Sequence, residues 1–467
     1  MVTGLDTGAR SESKPSTVRL LAPLDRWLAL IAAAILVLLI LAASRANIAA
    51  DSVDYYAILQ QLASPTDKPI VGNLHFVEQR SPGYPLAALI PYAVLSLVVD
   101  PFVSTEKVAG TATSRAPSAP LSLPPSSSGE RPVPPKRTAG ESGSEFMFIP
   151  PSPMLLREVP FKDIYVPAEG SWYRWKLVLA LALTSYLFLF GGMAANARAL
   201  RLAHPDLPLY CLVPAAILAS PIFVHNIIAT PLYATLTAYG ASSLFVLAFI
   251  NGYTSRRTRE LLVAGLLLGL AFLIRLEVGV FAAALTLLLL VRKEWRVAAP
   301  IVGGFTVALV VWALYNLAQF GTPFHIGILR GDINRLALNA GFVFENLAHP
   351  SSGVLFWSPL CALGVAGLVV SRSRSLRLLG ISSLALLAVY LVRVPIMYQH
   401  VGGGLIDIGG IPVTAPSSAA AMRELVRSDI NRYVTVMMPA AVLGLRDGIA
   451  AVRGWWMSRQ CKKTAGT

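Results

Sequence analysis

Charged and sulfur-bearing residues are scarce in this chain. Only 14% of its 467 residues are charged, against about 25% in an ordinary soluble domain. Acids are scarcer still, with 25 Asp and Glu facing 39 Lys and Arg. The three cysteines, Cys211, Cys361 and Cys461, lie in or beside apolar segments or in the basic tail. They show neither metal-ligand spacing nor a disulfide framework. A GxSxG elbow, a CxxC pair, a P-loop and a GxGxxG fingerprint are all absent. Their absence removes the support for serine hydrolase, thiol redox and nucleotide-binding readings.

What is present is apolar surface. Hydrophobic residues make up 55% of the chain, and the mean hydropathy is +0.61. Runs long enough to cross a bilayer recur along the sequence. The fold class read from this is an all-α polytopic membrane protein. The net charge of +14 does not point to nucleic acid, because the basic residues mostly punctuate the apolar runs, as membrane topology requires.

The chain divides by composition. Residues 1–26 are polar and carry Arg10, Lys14, Arg19 and Arg26, which predicts a cytoplasmic tail. Trp27 to Ala43 reads as the first transmembrane helix, within a unit 27–99 that includes the following outer loop. Residues 100–170 contain TATSRAPSAPLSLPPSSSGERPVPPKRTAGESGSE, a Pro/Ser-rich stretch that cannot bury a core and is expected to be a disordered extracytoplasmic insert. A transmembrane bundle is expected over 171–453 and a basic cytoplasmic tail over 454–467.

Within the bundle the spans are expected at Trp175–Ala197, Leu209–Ile227, Leu232–Ile250, Leu261–Val291, Ala299–Leu317, Gly353–Val370, Leu378–Val392 and Val434–Val452. Leu261–Val291 is the informative run. As one helix it would extend roughly 46 Å, against a hydrocarbon core of about 30 Å. It also holds Arg275 and Glu277 at its middle, where an arginine costs about 2.5–3.5 kcal/mol on insertion scales. A hairpin resolves both conflicts, with Arg275-Leu276-Glu277 at its outer tip. Basic residues at both ends, Arg256, Arg257 and Arg259 before and Arg292, Lys293 and Arg296 after, keep those ends cytoplasmic. Tyr84–Val99 is placed at the outer interface, because a full crossing would turn every later basic loop outward. The count is then about ten spans with both termini inside. Arg174 and Lys176 resist this scheme, since they stand at the outer end of a span.

The stretch from Asp51 to Pro85 follows the first span directly. Val53, Tyr56, Leu59 and Leu62 recur at helical spacing, with Asp54, Gln60 and Gln61 around them. That pattern predicts a short amphipathic helix on the membrane with two carboxylates at its start. The same acids also fit an N-cap. The topology collects on one side Asp51, Asp54, His75, Glu78, Arg80, His225, Asn226, Arg275, Glu277, Tyr315, Asn316 and Arg432. Intramembrane charges such as Arg275 and Glu277 are functional-site candidates by default, and a structural ion pair at the tip is the plainer alternative. Residues 402–410, GGGLIDIGG, read as a flexible outer loop.

These segments resemble the GT-C superfamily of polytopic glycosyltransferases, above all its bacterial branch related to protein mannosyltransferases and lipid A aminoarabinose transferases. Asp51-Ser-Val-Asp-Tyr-Tyr-Ala-Ile-Leu resembles the family's acid-then-tyrosine stretch, and Arg80-Ser-Pro-Gly-Tyr-Pro-Leu its PPxYPL-like stretch. Ala264 to Glu277 resembles GLxxGLAxLTRPE, and Tyr315-Asn316 with Phe320-Gly-Thr-Pro resembles YNxxxFGxP. Gly353-Val-Leu-Phe-Trp-Ser-Pro resembles GLLxYSP, and Arg432-Tyr433 with Pro439 resembles RYxxPxxP.

The resemblance implies a cell-membrane enzyme that moves a sugar from a polyprenyl phosphate to an extracytoplasmic lipid, glycan or protein acceptor. It implies Asp51 as general base, with Asp54 its competitor. Arg80, Arg275 and Arg432 are the candidates to bind the leaving lipid phosphate, a task that suits a planar guanidinium fork. Tyr55, Tyr56, Tyr84, Glu78 and Glu277 are candidates to hold sugar or acceptor. A divalent metal is the one candidate cofactor, with His75 and His225 as its candidate ligands. The outer loop HNIIATPLYAT lacks the carboxylate that many relatives carry there, which weakens the metal role. A transporter or flippase, or a non-catalytic member of the same fold, is the competing class. A transporter of that kind should show inverted repeats with broken helices, and no internal similarity of that sort is visible.

Overall fold

The computed structural model describes residues 51–63, 81–101, 172–205, 212–228, 232–324, 340–348, 353–392, 406–408, 411–413 and 434–465. The predicted first span, the tails before and around it, and nearly all of the Pro/Ser-rich insert lie outside the described residues.

Among the described residues the architecture is helical. A short helix α1 (Asp51–Ala63) packs on α2 (Gly83–Val98) and on α3 (Trp172–Ala203). Two short helices follow, α4 (Leu212–Leu218) and α5 (Pro221–Ile228), and then the long α6 (Ala234–Ser255). The central trio is α7 (Thr258–Ile274), α8 (Val278–Val291) and α9 (Trp295–Phe320). Beyond them lie α10 (Ala340–Ala348), α11 (Val354–Trp357), α12 (Pro359–Val370), α13 (Arg374–Leu391) and α14 (Met438–Ala465).

Four of these helices contain stretches long and apolar enough to cross a membrane: Trp175–Ala203, Ala234–Ser255, Trp295–Ala318 and Arg374–Leu391. The outside of the bundle is apolar too. On α9 the side chains of Val307, Val310, Val311, Leu314 and Leu317 form an exposed stripe at helical spacing. A contiguous apolar face of this kind is what a lipid-facing helix presents.

The hairpin expected over Leu261–Val291 forms. α7 ends at Ile274, Arg275 is extended (φ −142°, ψ 103°), and α8 begins at Val278. The outer two helices of the trio run parallel, so α8 must return between their ends. Gly265 lies against the backbone of Ile301, Gly269 against Ala308, and Phe272 against Trp312. α3 and α6 are parallel too: Gly192 and Phe188 touch Gly240, and further along both helices Arg198 and Leu202 face the same cavity as Ala248 and Asn251.

α2 has a different course. Its first turn touches Leu181 and Ser185 of α3, while Asp100, just past its end, reaches back to Lys176. It therefore runs away from the hairpin tip, antiparallel to the first half of α3. That salt bridge (2.7 Å) and the Tyr92 ring 4.6 Å from Lys176 explain the basic residue that resisted the topology. The side chain of Arg174 is not described.

Three expectations need correction. Leu209–Ile227 is not one continuous helix: the helix stops at Leu218 and restarts at Pro221. Proline lacks an N–H and its ring clashes with the preceding turn, so it opens a helix rather than continuing one. The run from Gly353 likewise breaks at Ser358 before Pro359. The glycine-rich stretch read as a flexible loop holds β1 (Ile406–Ile408), which pairs antiparallel with β2 (Ile411–Val413) just past it, so that Ile406 faces Val413.

In lipid, helices associate through close packing rather than through the hydrophobic effect, and small residues make that approach possible. α12 and α14 meet in this way. A Cβ at Gly364 would strike the backbone of Ala441, and one at Gly444 would strike Gly364 and Leu368. Gly444→Val is therefore expected to destabilise the detergent-solubilised protein by about 1–3 kcal/mol. Gly454→Ala, where an added Cβ meets nothing within 4 Å, is expected to stay within about 0.5 kcal/mol of the native protein. Thermal unfolding of both variants checks this, and equal Tm values would refute the close crossing.

Candidate functional site

The hairpin tip is recessed. α7 has 17 residues and α8 has 14, so the arms extend about 26 and 21 Å, short of a core of about 30 Å. The backbone of the tip is closed by its own hydrogen bonds, from Arg275 N to Ala271 O (2.8 Å) and from Val278 N to Arg275 O (3.0 Å). Arg275, Leu276 and Glu277 are all half-buried. Arg275 Nη2 donates to Thr235 Oγ1 at 3.3 Å. Thr235 is fully buried in the first turn of α6.

The Ser81-Pro-Gly-Tyr-Pro segment is docked on this tip. A Cβ at Gly83 would strike the carbonyl carbon of Leu273 and lie 2.6 Å from the nitrogen of Ile274. Only glycine lets the start of α2 sit there, directly before Arg275. The next residue, Tyr84, is fully buried. Its hydroxyl donates to Leu181 O and accepts from Ser185 Oγ, each at 3.0 Å. Burial pushes the Tyr84 phenol well above its ordinary pKa, with the Ser185 hydrogen bond a smaller opposing effect. It is thus a neutral donor. Its ring meets Tyr55 of α1 edge-on at 5.1 Å.

α1 forms over the predicted residues and carries Asp51 and Asp54 in its first turn. The side chains of these two acids are not among those described. Its buried set is wider than an interfacial stripe: Tyr55, Tyr56, Ile58 and Leu59 are buried, and so is Gln60, which the sequence reading gave to the polar face. The cause is packing against both α2 and α3. On the neighbouring side, Phe223 meets Tyr239 edge-on at 5.1 Å, Tyr186 donates to Ile227 O at 3.1 Å, and Asn226 is buried. The Tyr315 motif closes over α9: Asn316 Nδ2 donates to Pro323 O at 3.4 Å, and Gly321 takes the left-handed conformation (φ +71°). Phe324 and Phe272 flank Trp312, which ties this turn to α7 three residues before Arg275.

The structure thus joins the Tyr55, Tyr84, Arg275 and Asn316 segments around one end of the bundle. The Gly353 and Pro439 segments belong to the α12–α14 pair, held to α3 by Asn196 Nδ2 donating to Pro439 O at 2.8 Å. His75, Glu78, Arg80 and Arg432 lie outside the described residues, and the His225 side chain is not described. Among the described residues no three His, Cys, Asp or Glu side chains come together.

Sequence reasoning missed Ser185 and Thr235. Thr235 belongs to the loop searched for a carboxylate, so a hydroxyl there went unweighed. Gly83 is legible in the sequence only as part of its motif, and the reason for a glycine there is the contact with α7.

No family model and no curated protein matches this chain. Among solved structures it is similar to ArnT from Cupriavidus metallidurans, crystallised bound to undecaprenyl phosphate. The TM-score is 0.50 at 14% identity, over 91% of this chain and 60% of that one. The chain thus spans about three-fifths of the length of that protein. The likeness shows that the chain shares the ArnT fold.

Tyr84→Phe is expected to cost about 1–3 kcal/mol, because it leaves the buried Ser185 hydroxyl without this partner. Chemical or thermal unfolding of the purified protein measures the loss, and an unchanged midpoint would show that the Tyr84–Ser185 bond is not formed.

Proposed function

We propose that this protein is an integral membrane glycosyltransferase that moves a sugar from a polyprenyl phosphate to an acceptor on the extracytoplasmic face. The observation that carries this reading is Arg275, a guanidinium recessed between two short helices, bound by Thr235 and backed by the glycine that seats the Tyr84 segment. The fold of ArnT, whose structure was determined with undecaprenyl phosphate, supports the donor class.

The chemistry asks for two opposite charges. The acceptor hydroxyl attacks the anomeric carbon and gives its proton to a carboxylate, Asp51 or Asp54, at the start of α1. The bond from the anomeric carbon to the phosphate oxygen breaks, and the polyprenyl phosphate leaves with its negative charge. Arg275, with Arg80 and Arg432 as further candidates, stabilises that charge as it develops. Glu78 and Glu277 are assigned to sugar or acceptor, whereas Tyr55, Tyr56 and Tyr84, expected there from the sequence, are buried in the packing of α1 and α2 and support the site from behind. In this reading about ten helices cross the membrane, α1 and α2 lie on the outer side, and both termini are cytoplasmic.

Purified protein in lipid, offered a panel of radiolabelled polyprenyl-phosphate sugars with candidate acceptors, tests the proposal. Asp51→Asn is expected to lower transfer roughly 10²–10⁴-fold. Asp54→Asn is expected to have a smaller effect. Arg275→Ala is expected to lower kcat about 10²-fold or more, as loss of a charge-stabilising donor does, with partial recovery in Arg275→Lys. Wild-type rates in both Asp variants would remove the general-base assignment. Transport of a lipid-linked sugar without transfer would replace the enzyme reading with a flippase.

A further inference from the structure

The opposite end of the bundle carries a cavity that the transfer site does not use. It lies between the last turns of α3 and α6 and the first turns of α7, and its volume is about 480 Å³. Its inner wall is hydrocarbon: Leu202, Leu244, Leu247, Ala248, Val263 and Leu267. Leu202 and Val263 are 48% and 40% exposed, so this wall reaches the apolar outside of the bundle. Its rim is basic, formed by Arg198, Arg257 and Arg259 with the single acid Glu260.

Glu260 is already engaged. It accepts from Ser255 Oγ at 2.9 Å and from Arg257 Nη1 at 3.4 Å. Among the described residues Arg198 and Arg259 have no acidic partner. The rim therefore carries two guanidinium charges beyond what its own acid offsets, directly above an apolar wall. The basic residues flanking α7 and α8 put this end at the cytoplasmic leaflet under the positive-inside rule.

We propose that this cavity is a binding site for an anionic diacyl phospholipid of the cytoplasmic leaflet. The headgroup phosphate is received by Arg198 and Arg259, which come from two different helices, and an acyl chain lies along the leucine wall. Free phosphate would have no use for that wall, and a zwitterionic lipid would leave the two charges without a net anion. Arginine is the suitable residue because its fork gives two parallel hydrogen bonds to phosphate oxygens. A lipid bridging Arg198 of α3 and Arg259 of α7 would tie these two helices at the end far from Arg275.

The test is native mass spectrometry of the full chain released from nanodiscs of phosphatidylglycerol or phosphatidylcholine. Wild type is expected to retain phosphatidylglycerol and not phosphatidylcholine. Each surface arginine near an anionic headgroup accounts for about fivefold in binding, so Arg198→Ala with Arg259→Ala is expected to lower retention about 25-fold. Ala248→Phe, which fills the wall and keeps the charges, is expected to lower it as well. Arg292→Ala with Lys293→Ala, basic positions outside the cavity, is expected to leave it unchanged. Equal retention in the Arg198/Arg259 variant, or equal loss in the Arg292/Lys293 variant, would overturn the site. So would thermal stabilisation of the phosphatidylcholine sample by inorganic phosphate that matches the effect of phosphatidylglycerol. None of these readouts involves sugar transfer, so this site and the transferase reading stand or fall separately.

Discussion

A guanidinium is too costly at the centre of a lipid-facing helix, and much of this structure follows from how Arg275 avoids that position. The apolar run that contains it is broken into two arms. Breaking the run reverses the chain, which leaves α7 and α9 parallel and lets their glycines and alanine meet: Gly265 on Ile301, Gly269 on Ala308, Gly304 on Leu262 and Leu266. The extended backbone at Arg275 also exposes the end of α7 as a platform. Gly83 fills it, and with Gly83 come Tyr84, α2 and, through Tyr55, α1. The helix that carries the candidate acids Asp51 and Asp54 is thus joined to the Arg275 tip by a chain of contacts that begins at one charge.

Polar contacts complete what the small residues begin. Two buried side chains, Asn196 of α3 and His204 just past its end, bind carbonyls in the first turns of α14, Asn196 at Pro439 and His204 at Leu443 (2.8 Å each), and Arg446 lies 3.2 Å from the other ring nitrogen of His204. A backbone carbonyl has two lone pairs, so it can accept a side-chain hydrogen bond beside its helical one, and in a membrane bundle buried side-chain donors are met by neighbours because water is absent. Glycine crossings set how closely α12 and α14 approach, and these polar bonds fix where α14 sits along α3.

How legible was this from the sequence? The hairpin was, because a charge pair inside an overlong apolar run contradicts a single helix on two independent counts. The α1 helix was, because its apolar spacing and early acids agree. The breaks at Ser220 and Ser358 were overlooked although Pro221 and Pro359 announce them, since an apolar run long enough to span was counted as one helix. The pairing of Lys176 with Asp100 could not be read at all. The two residues are separated by the Pro/Ser-rich insert, and only the antiparallel course of α2 on α3 brings them together. Glycine contacts are equally silent, because a missing side chain leaves no pattern until its neighbour is known.

The departure in the segment before α6 also takes on a physical meaning. The sequence reads HNIIATPLYAT where a carboxylate was expected, and the structure finds Thr235 from that segment holding Arg275. A carboxylate at this place would orient the guanidinium and also neutralise it. A threonine hydroxyl accepts one hydrogen bond and adds no charge of its own, so it positions the fork without itself competing as an anion for it. If Arg275 receives a phosphate, that substitution favours the ligand. Thr235→Asp should then weaken donor binding, seen as a raised KM for the polyprenyl-phosphate sugar. Thr235→Ser, which keeps the hydroxyl, should leave it near the native value.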